Sequence, residues 1–561
     1  MRIIFEEYPY PRAKLKELLP DFDLPLQDDD ATVRLGYVGY CYSPTIKDNI
    51  YFLPKVVLNE CSNKVFDKYE PKLLLDLDAA YRNKEIEKDH LDFLHGLSIW
   101  IYRAVKVFKN DPKNKTSKIV SQRSVSYLDG TVHKVDATIV DIILSLIKFY
   151  NENQNFFMFI IKDIHRGYNK INWRKTIAKQ QTFLQNGKPI YMSPVNKKKQ
   201  INFDEELLII FYSILNYINK TYSEFNCKIN CNYQLIDGAL FEAYRKRLGK
   251  KRLLEIKHKY YSDKAQHLWK LCYAFFECSS RICSSKQIED FLIAKDFNIV
   301  FEAIIDELIG DQVPSGLKEQ KDGKILDHIY LYESLIRPEK IYYIGDSKYY
   351  KIGGSVDEHS VYKQYTYAKN VIQYNFFFKG NKVNQYRPYR DELTEGYNIT
   401  PNFFISADIE LPYSYKDERL KRREKDDEKR VNKQFENRLF DRDTLWLSHY
   451  DINFLYILSL YGRNNAPAKR IFRDKVRDIF RREIAKLLNR HYLFYQIEFD
   501  NGKMESFIKE NFKQLIGKIY HFEEGQKHNL ILALEKGHKD NSKILLLVDS
   551  ECLERKEFDL G

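Results

Sequence analysis

Apolar positions along the chain alternate between a period of two and a period near 3.6, and the switches outline its organisation. "VRLGYVGYCY" and "DNIYFLPKVVLNE" are β-branched and aromatic runs bounded by Asp, Asn and Pro, which predicts strands. From Leu91, "LDFLHGLSIWIYRAVKVF" repeats apolar residues at helical spacing. Residues 1–145 therefore predict an α/β unit. Residues 146–290 read as helix-rich. "DEELLIIFYSILNYINKTY" from Asp204 carries its acidic residues in the first turn, where the helix dipole favours them.

The pattern mixes again over residues 291–412. "FNIVFEAIIDELIGD" puts Phe301, Ile304, Ile305 and Leu308 in one helical stripe. "KDGKILDHIYLYESL" opens on an Asp322-Gly323 turn signal and continues as a strand holding Asp327. A short loop with Arg337 and Pro338 leads to the strand "IYYIGDSKYY", so the two strands predict a hairpin. A helix from Val361 and a strand from Asn402 complete a small mixed sheet. Just after Tyr413, "YKDERLKRREKDDEKRVNKQFENR" reads as a charged connector, since such runs are usually solvated helices. Beyond it, "APAKRIFRDKVRDIFRREIAKLLNRHY" predicts an amphipathic helix. Ile471, Val476, Ile479, Phe480 and Leu487 form its apolar side, and Arg473, Arg477, Arg481 and Arg482 its polar side. Residues 413–561 thus predict a connector and a basic helical region.

Length and composition narrow the class. A chain of 561 residues is too long for one core, and three or four domains is the expectation. Hydrophobic residues at 44% exclude wholesale disorder. The net charge of +12 suits a polyanionic partner without requiring one. Eight Cys form no disulfide framework, and Cys227/Cys231 and Cys278/Cys283 lack the Cys-x-x-Cys spacing of a zinc site. "MRIIFEEYPYPRAKLKELLP" has no signal-peptide core, and apolar runs such as "FFMFII" are too short to span a bilayer. A soluble cytoplasmic protein is expected. "HRGYNKINWRKTI" offers Arg166, Lys170, Arg174 and Lys175 to phosphates, or else forms a solvated strand face. Arg473, Arg477 and Arg481 are equally a DNA-backbone contact or an ordinary surface helix.

The chemistry concentrates around Asp346. In an extended strand, Asp346 and Lys348 share one face and Ser347 points away. The hairpin brings Asp327 beside Asp346. Two facing carboxylates repel unless a positive charge lies between them, and hard oxygen donors suit Mg²⁺. Lys348 could then stabilise an anionic transition state or activate a water. Glu302 lies at the edge of its helical stripe, and Lys363, Gln364 and Tyr367 lie near the start of the later helix. Asp311 and Asp322 are rival carboxylates placed in turns.

This series of Glu302, Asp327, Asp346-x-Lys348 and Gln364-x-x-Tyr367 resembles the core of the PD-(D/E)XK nucleases, except that Leu326 stands before Asp327 where the family often has Pro. The resemblance implies metal binding by Asp327 and Asp346, work on the attacking water by Lys348, and support from Glu302 and Gln364. "GYNKINWRKTI", "FEAIIDEL", "IGDSKYY" and "KQYTYAKN" are similar to stretches of McrC-like and LlaJI-type restriction proteins, over roughly residues 30–410. That similarity implies a Mg²⁺-dependent endodeoxyribonuclease subunit acting on double-stranded DNA, whose N-terminal part docks on an AAA+ GTPase or ATPase. Gly-Lys at 187, 249, 323, 502 and 517 is never followed by Ser or Thr, so no P-loop is present and any motor must be another chain. Cutting both strands implies two copies or a higher assembly. The rival readings are a self-sufficient site-specific restriction enzyme and a non-catalytic DNA-binding scaffold that keeps the nuclease fold.

Overall fold

The computed structural model describes the chain apart from residues 21–30, 115–117, 124, 129–133, 158–159, 166–169, 223–226, 231, 285–289, 314–315, 320–324, 378–388, 424–430, 464, 501 and 525–526. The first unit holds β1 (Arg2–Phe5), β2 (Tyr37–Ser43), β3 (Asp48–Leu53), α1 (Lys88–Asn110) and β4 (Val120–Arg123). Helix α2 (Ile139–Glu152) follows, then α3 (Trp173–Lys179), the small hairpin β5 (Phe183–Gln185) and β6 (Lys188–Ile190), α4 (Glu206–Thr221) and α5 (Asp263–Ser284). Helices make up most of the described residues over 146–290, as expected, but the strands Ile160–His165 and Asn196–Ile201 pair among them as well.

Strand β7 (Phe291–Lys295) then returns to the first sheet, which has the order β1–β3–β2–β7–β4. The sequence reading put a unit boundary at residue 290; β7 begins just past it yet is hydrogen-bonded between β2 and β4 of the first sheet. Its apolar residues Leu292, Ile293 and Ala294 are buried there, and sheet pairing outweighs proximity in sequence.

The central sheet is built next. Helix α6 (Phe297–Ile309) buries Phe301, Ile304, Ile305 and Leu308, the predicted stripe. Strands β8 (His328–Glu333) and β9 (Lys340–Lys348) form the predicted antiparallel hairpin. Helix α7 (Glu358–Phe377) leads to β10 (Asn402–Asp408), which runs parallel to β9. The sheet does not end at β10. Strand β11 (Leu420–Arg422) and strand β12 (Leu445–Asn453) extend it in the order β8–β9–β10–β12–β11, with Val431–Asn432 paired to β12. Gly345 sits where β9 and β10 approach closest: a Cβ there would collide with the Phe403 ring.

These strands correct two sequence expectations. The charged run after Tyr413 is not a solvated helix where it is described. Leu420–Arg422 is strand, and Arg423 grips Asp451 with two guanidinium nitrogens, at 2.7 and 2.6 Å. The C-terminal region is also not simply helical. Helices α8 (Phe454–Tyr461) and α9 (Ala466–His491) lead into β13 (Tyr492–Glu498), α10 (Lys503–Leu515), β14 (Ile519–Glu524), β15 (Lys527–Glu535), α11 (Asn541–Asp549) and β16 (Glu554–Phe558). The four strands make an antiparallel sheet ordered β14–β15–β13–β16 over its own apolar cluster of Ile508, Leu515, Leu530, Leu532 and Val548. Among the described residues no helix is long and apolar enough to cross a membrane.

Helix α9 turns three of its arginines inward, while Arg482, from the same predicted polar side, is exposed and pairs with Asp478. The helix crosses the C-terminal end of α6, whose last carbonyls lack intrahelical donors. Arg473 donates to the Glu307 carbonyl at 2.6 Å, and Arg477 to the Ile309 carbonyl at 3.0 Å. Arg477 is buried, pairs with Asp311 at 2.7 Å and lies over the Tyr330 ring. Arg481 donates to the Ser334 carbonyl at 3.2 Å. The sequence left Arg473, Arg477 and Arg481 equally as a DNA-backbone contact or an ordinary surface face; in the fold they cap α6 and fasten α9 to the central sheet. Ile471, expected on the apolar side, is exposed, whereas Phe472, Ile484 and Leu488 are buried.

Candidate active site

The site lies on β9 and the residue before β8. The register pairs His328 with Gly345, so one further step sets Asp327 opposite Asp346. Asp327 is therefore not within the strand, as the sequence suggested, but at the bend leading into it. Its carboxylate accepts from the Ser347 backbone N–H at 3.3 Å. Asp346 and Lys348 project to the same face as predicted, with Lys348 Nζ 2.8 Å from Asp346 Oδ2. Ser360 Oγ, in the first turn of α7, accepts from the same ammonium at 3.3 Å, and the Phe404 ring lies 5.2 Å from it. Asp346, Lys348 and Ser360 thus fix one another across two elements.

The electrostatics follow from crowding carboxylates in a poorly solvated place. Burial, then the charge and hydrogen bond of Asp346, then Glu302, push the Asp327 carboxyl up to about 9. Glu302 reaches toward the site from α6. Burial and the Asp346 charge raise its pKa, while the Asn298 amide and the charges of Lys348 and Lys363 oppose the rise. Three acids and two lysines therefore share one field. They do not all meet at a point. Among the described residues, the metal-type ligands that close within 4.8 Å as a group of three are His521, Glu523 and His528 alone. Asp327 and Asp346 supply hard oxygens for a cation that takes the rest of its shell from water and substrate, as Mg²⁺ commonly does. Glu302 stands outside that inner pair.

Gln364 is fully buried on α7. It donates through Nε2 to Asn402 Oδ1 at 2.7 Å, which ties α7 to the start of β10, and its Oε1 has no hydrogen-bond partner. Phe404, two residues beyond Asn402, pairs with Asp346, so Gln364 lies one pleat below the carboxylates.

Lys363 was noted in the sequence only by its place in the helix, and the structure gives it an electrostatic role. Burial works against its ammonium, but the Tyr367 hydroxyl and the charges of Asp346 and Asp327 outweigh that and raise its pKa. The signal in the sequence was its position beside Gln364 at the start of a helix following the Asp-x-Lys strand.

The first unit packs against the exit of β9. Tyr349 donates to Glu6 at 2.5 Å, the Glu60 N–H donates to the Ile352 carbonyl at 2.9 Å, and Lys351 donates to Asn63 at 2.6 Å. Burial pushes the Glu6 carboxyl up to about 7 against the opposing hydrogen bond from Tyr349. The basic residues Lys170, Arg174 and Lys175 are exposed around α3, so they remain open to a partner. Arg166 and the Asp322-Gly323 turn lie outside the described residues. The thiols of Cys41, Cys227, Cys272 and Cys278 are free and buried. No protein-family model, curated protein or solved structure matches the chain.

Proposed function

We propose that the chain is a Mg²⁺-dependent endodeoxyribonuclease of the PD-(D/E)XK kind, acting as the nuclease subunit of a restriction system like those of the LlaJI and McrC groups. One observation carries this reading. Asp327 and Asp346 face each other across the β8–β9 hairpin, and Lys348 lies 2.8 Å from Asp346 on the same face. The donor set fits the ion: two confronted oxygens, poorly solvated, at a place where a cation relieves their repulsion.

Bound there, Mg²⁺ supplies charge neutralisation at the scissile phosphate. Lys348, held between Asp346 and Ser360, orients the attacking water and stabilises negative charge as the phosphorus centre expands. Lys363 adds a second positive charge on the α7 side and holds the phosphate against the site. Glu302 keeps a carboxylate near the water without occupying the inner pair. Gln364 holds α7 at its distance from β10.

The test is cleavage of methylated and unmethylated DNA by wild type and Lys348→Ala, with and without an AAA+ partner and nucleotide. Loss of cutting by the variant supports the assignment, and wild-type cutting by the variant rejects it. A requirement for the partner and nucleotide supports the subunit reading. Complete, specific cutting by the chain alone favours a self-sufficient restriction enzyme.

Docking of an AAA+ motor on the N-terminal half belongs to the same proposal. Trp173, Ile177, Leu184 and Met192, around α3 and the β5–β6 hairpin, are exposed apolar side chains beside Lys170, Arg174 and Lys175. The same half contacts the exit of β9 through Glu6 and Tyr349, which gives a docked motor a route to the catalytic strand. Leu184→Asp and Met192→Asp in the full chain should abolish co-purification of the motor. Undiminished binding would remove this surface from the proposal.

A further inference from the structure

A second cluster lies far along the sequence, on the β14–β15 hairpin. His521 and Glu523 are two residues apart in β14 and share a face. The register pairs Glu523 with His528 of β15, so the third side chain joins them. His521 Nε2 and His528 Nδ1 are 3.4 Å apart, with the rings stacked at 5.6 Å between centroids. Glu523 Oε1 lies 3.5 Å from His528 Nδ1. Two nitrogens bound to one tetrahedral zinc at ~2.0–2.1 Å lie roughly 3.3 Å apart, so the imidazole spacing is already that of a chelate.

Two further features point the same way. Asp391 Oδ1 stands 3.6 Å behind His521 Nδ1, on the side where a carboxylate favours the tautomer with the proton on Nδ1 and the lone pair on Nε2. The cluster opens on a cleft of about 620 Å³ whose described lining carries Glu498, Asp500, Glu505 and Glu554 with the ammonium of Lys556, while Lys503 and Lys509 pair with Asp500 and Glu505; the surround is acidic on balance, which favours cations.

We infer that His521, His528 and Glu523 bind a divalent transition-metal cation, with zinc the best fit, at the mouth of this cleft. Imidazole donors set the site apart from an all-oxygen Mg²⁺ site. Three protein donors leave one position open toward the cleft. The competing account of the same geometry is a proton shared between the two imidazoles.

The experiment uses the full chain, stripped with chelator and titrated with Zn²⁺. Wild type should bind one equivalent more than His528→Ala. Affinity should fall about 100-fold or more in His528→Ala and about 10-fold in Glu523→Gln. Both side chains are over half exposed, at 57% and 64%, so their loss leaves the core intact and a null result cannot be blamed on unfolding. Co²⁺ should give the visible absorption of a four-coordinate site in wild type and not in His528→Ala. Asp346→Asn should keep the Co²⁺ absorption band that His528→Ala loses, whatever it loses on β9, which separates the two sites. Zinc content equal in wild type and His528→Ala, or no stoichiometric zinc in wild type, overturns the inference and leaves the shared proton.

Discussion

Strand β9, mainly apolar with a few charges, and helix α9, densely charged, are both matched to DNA chemistry by sequence alone, yet the fold uses their charges in opposite ways. Along α9, Arg473 and Arg477 use their guanidinium groups inside the molecule, on the carbonyls of Glu307 and Ile309 and on Asp311, while Arg482 stays on the surface paired with Asp478. Along β9 the carboxylates confront one another: Asp346 faces Asp327 and repels Glu302, and Lys348 is the cation paired with it. A satisfied charge holds a fold together, whereas crowded like charges mark a place prepared for something not yet bound. Charge density in a sequence cannot separate the two cases; the partners can.

The difference predicts which property each substitution breaks. Lys348→Ala should lower cleavage by about 1,000-fold or more, the scale of a lost acid–base or charge-stabilising group. Circular dichroism and DNA binding should stay near wild type. Parallel losses of fold and activity would show Lys348 to be structural, as the α9 arginines are.

Arg477→Ala should do the reverse. It removes the donor to the Ile309 carbonyl and strands the Asp311 carboxylate, and breaking a buried pair of this type costs about 3 kcal/mol. Thermal unfolding should shift down while the salt dependence of DNA binding keeps its slope. A flatter slope at unchanged stability would return Arg477 to the DNA-contact role that the sequence suggested.

Glu6 lies between the two cases, a buried acid bonded to Tyr349 just past Lys348. Its carboxyl is raised from 4.5 to about 7, so the folded state holds a proton that the unfolded chain releases earlier. Stability from this group is full below pH 4.5, falls as pH rises to about 7, and is flat beyond, a loss of up to about 3 kcal/mol. Glu6→Gln should therefore melt with wild type near pH 4.5 and above it at pH 8. An equal difference at both pH values would contradict the assignment.

The smallest effect belongs to the exposed cations of α3. Arg174→Ala with Lys175→Ala should weaken DNA binding modestly and reduce the salt slope by about two, one for each phosphate no longer neutralised. An unchanged slope would mean that this surface serves a protein partner rather than DNA.

Much of this was legible in the sequence, for identifiable reasons. The period-two pattern of "IYYIGDSKYY" put Asp346 and Lys348 on one face, and the Arg337-Pro338 loop gave the hairpin. The helical stripe of Phe301, Ile304, Ile305 and Leu308 gave α6 and the half-buried place of Glu302. What stayed hidden depends on pairing between distant segments. Strand β7 pairs with β2, on the order of 250 residues earlier, and nothing local in Phe291–Lys295 names that partner. The charged run at Leu420–Arg422 became strand because β12 offered an edge. Arg473 and Arg477 turned inward because α6 ends beneath them with unmet carbonyls. The His521 cluster was missed because its ligands lie on two strands whose pairing the helical reading of that region excluded.

The central claim is that Asp327 and Asp346 hold a divalent cation beside Lys348, and it can be tested without DNA or any partner chain. The measurement is a calorimetric titration of Mg²⁺ into the metal-stripped full chain, compared with Asp327→Asn and Asp346→Asn. The account predicts a saturable Mg²⁺ site in wild type that is lost in both variants while His528→Ala retains it. Equal Mg²⁺ binding by wild type and the two Asn variants would contradict it.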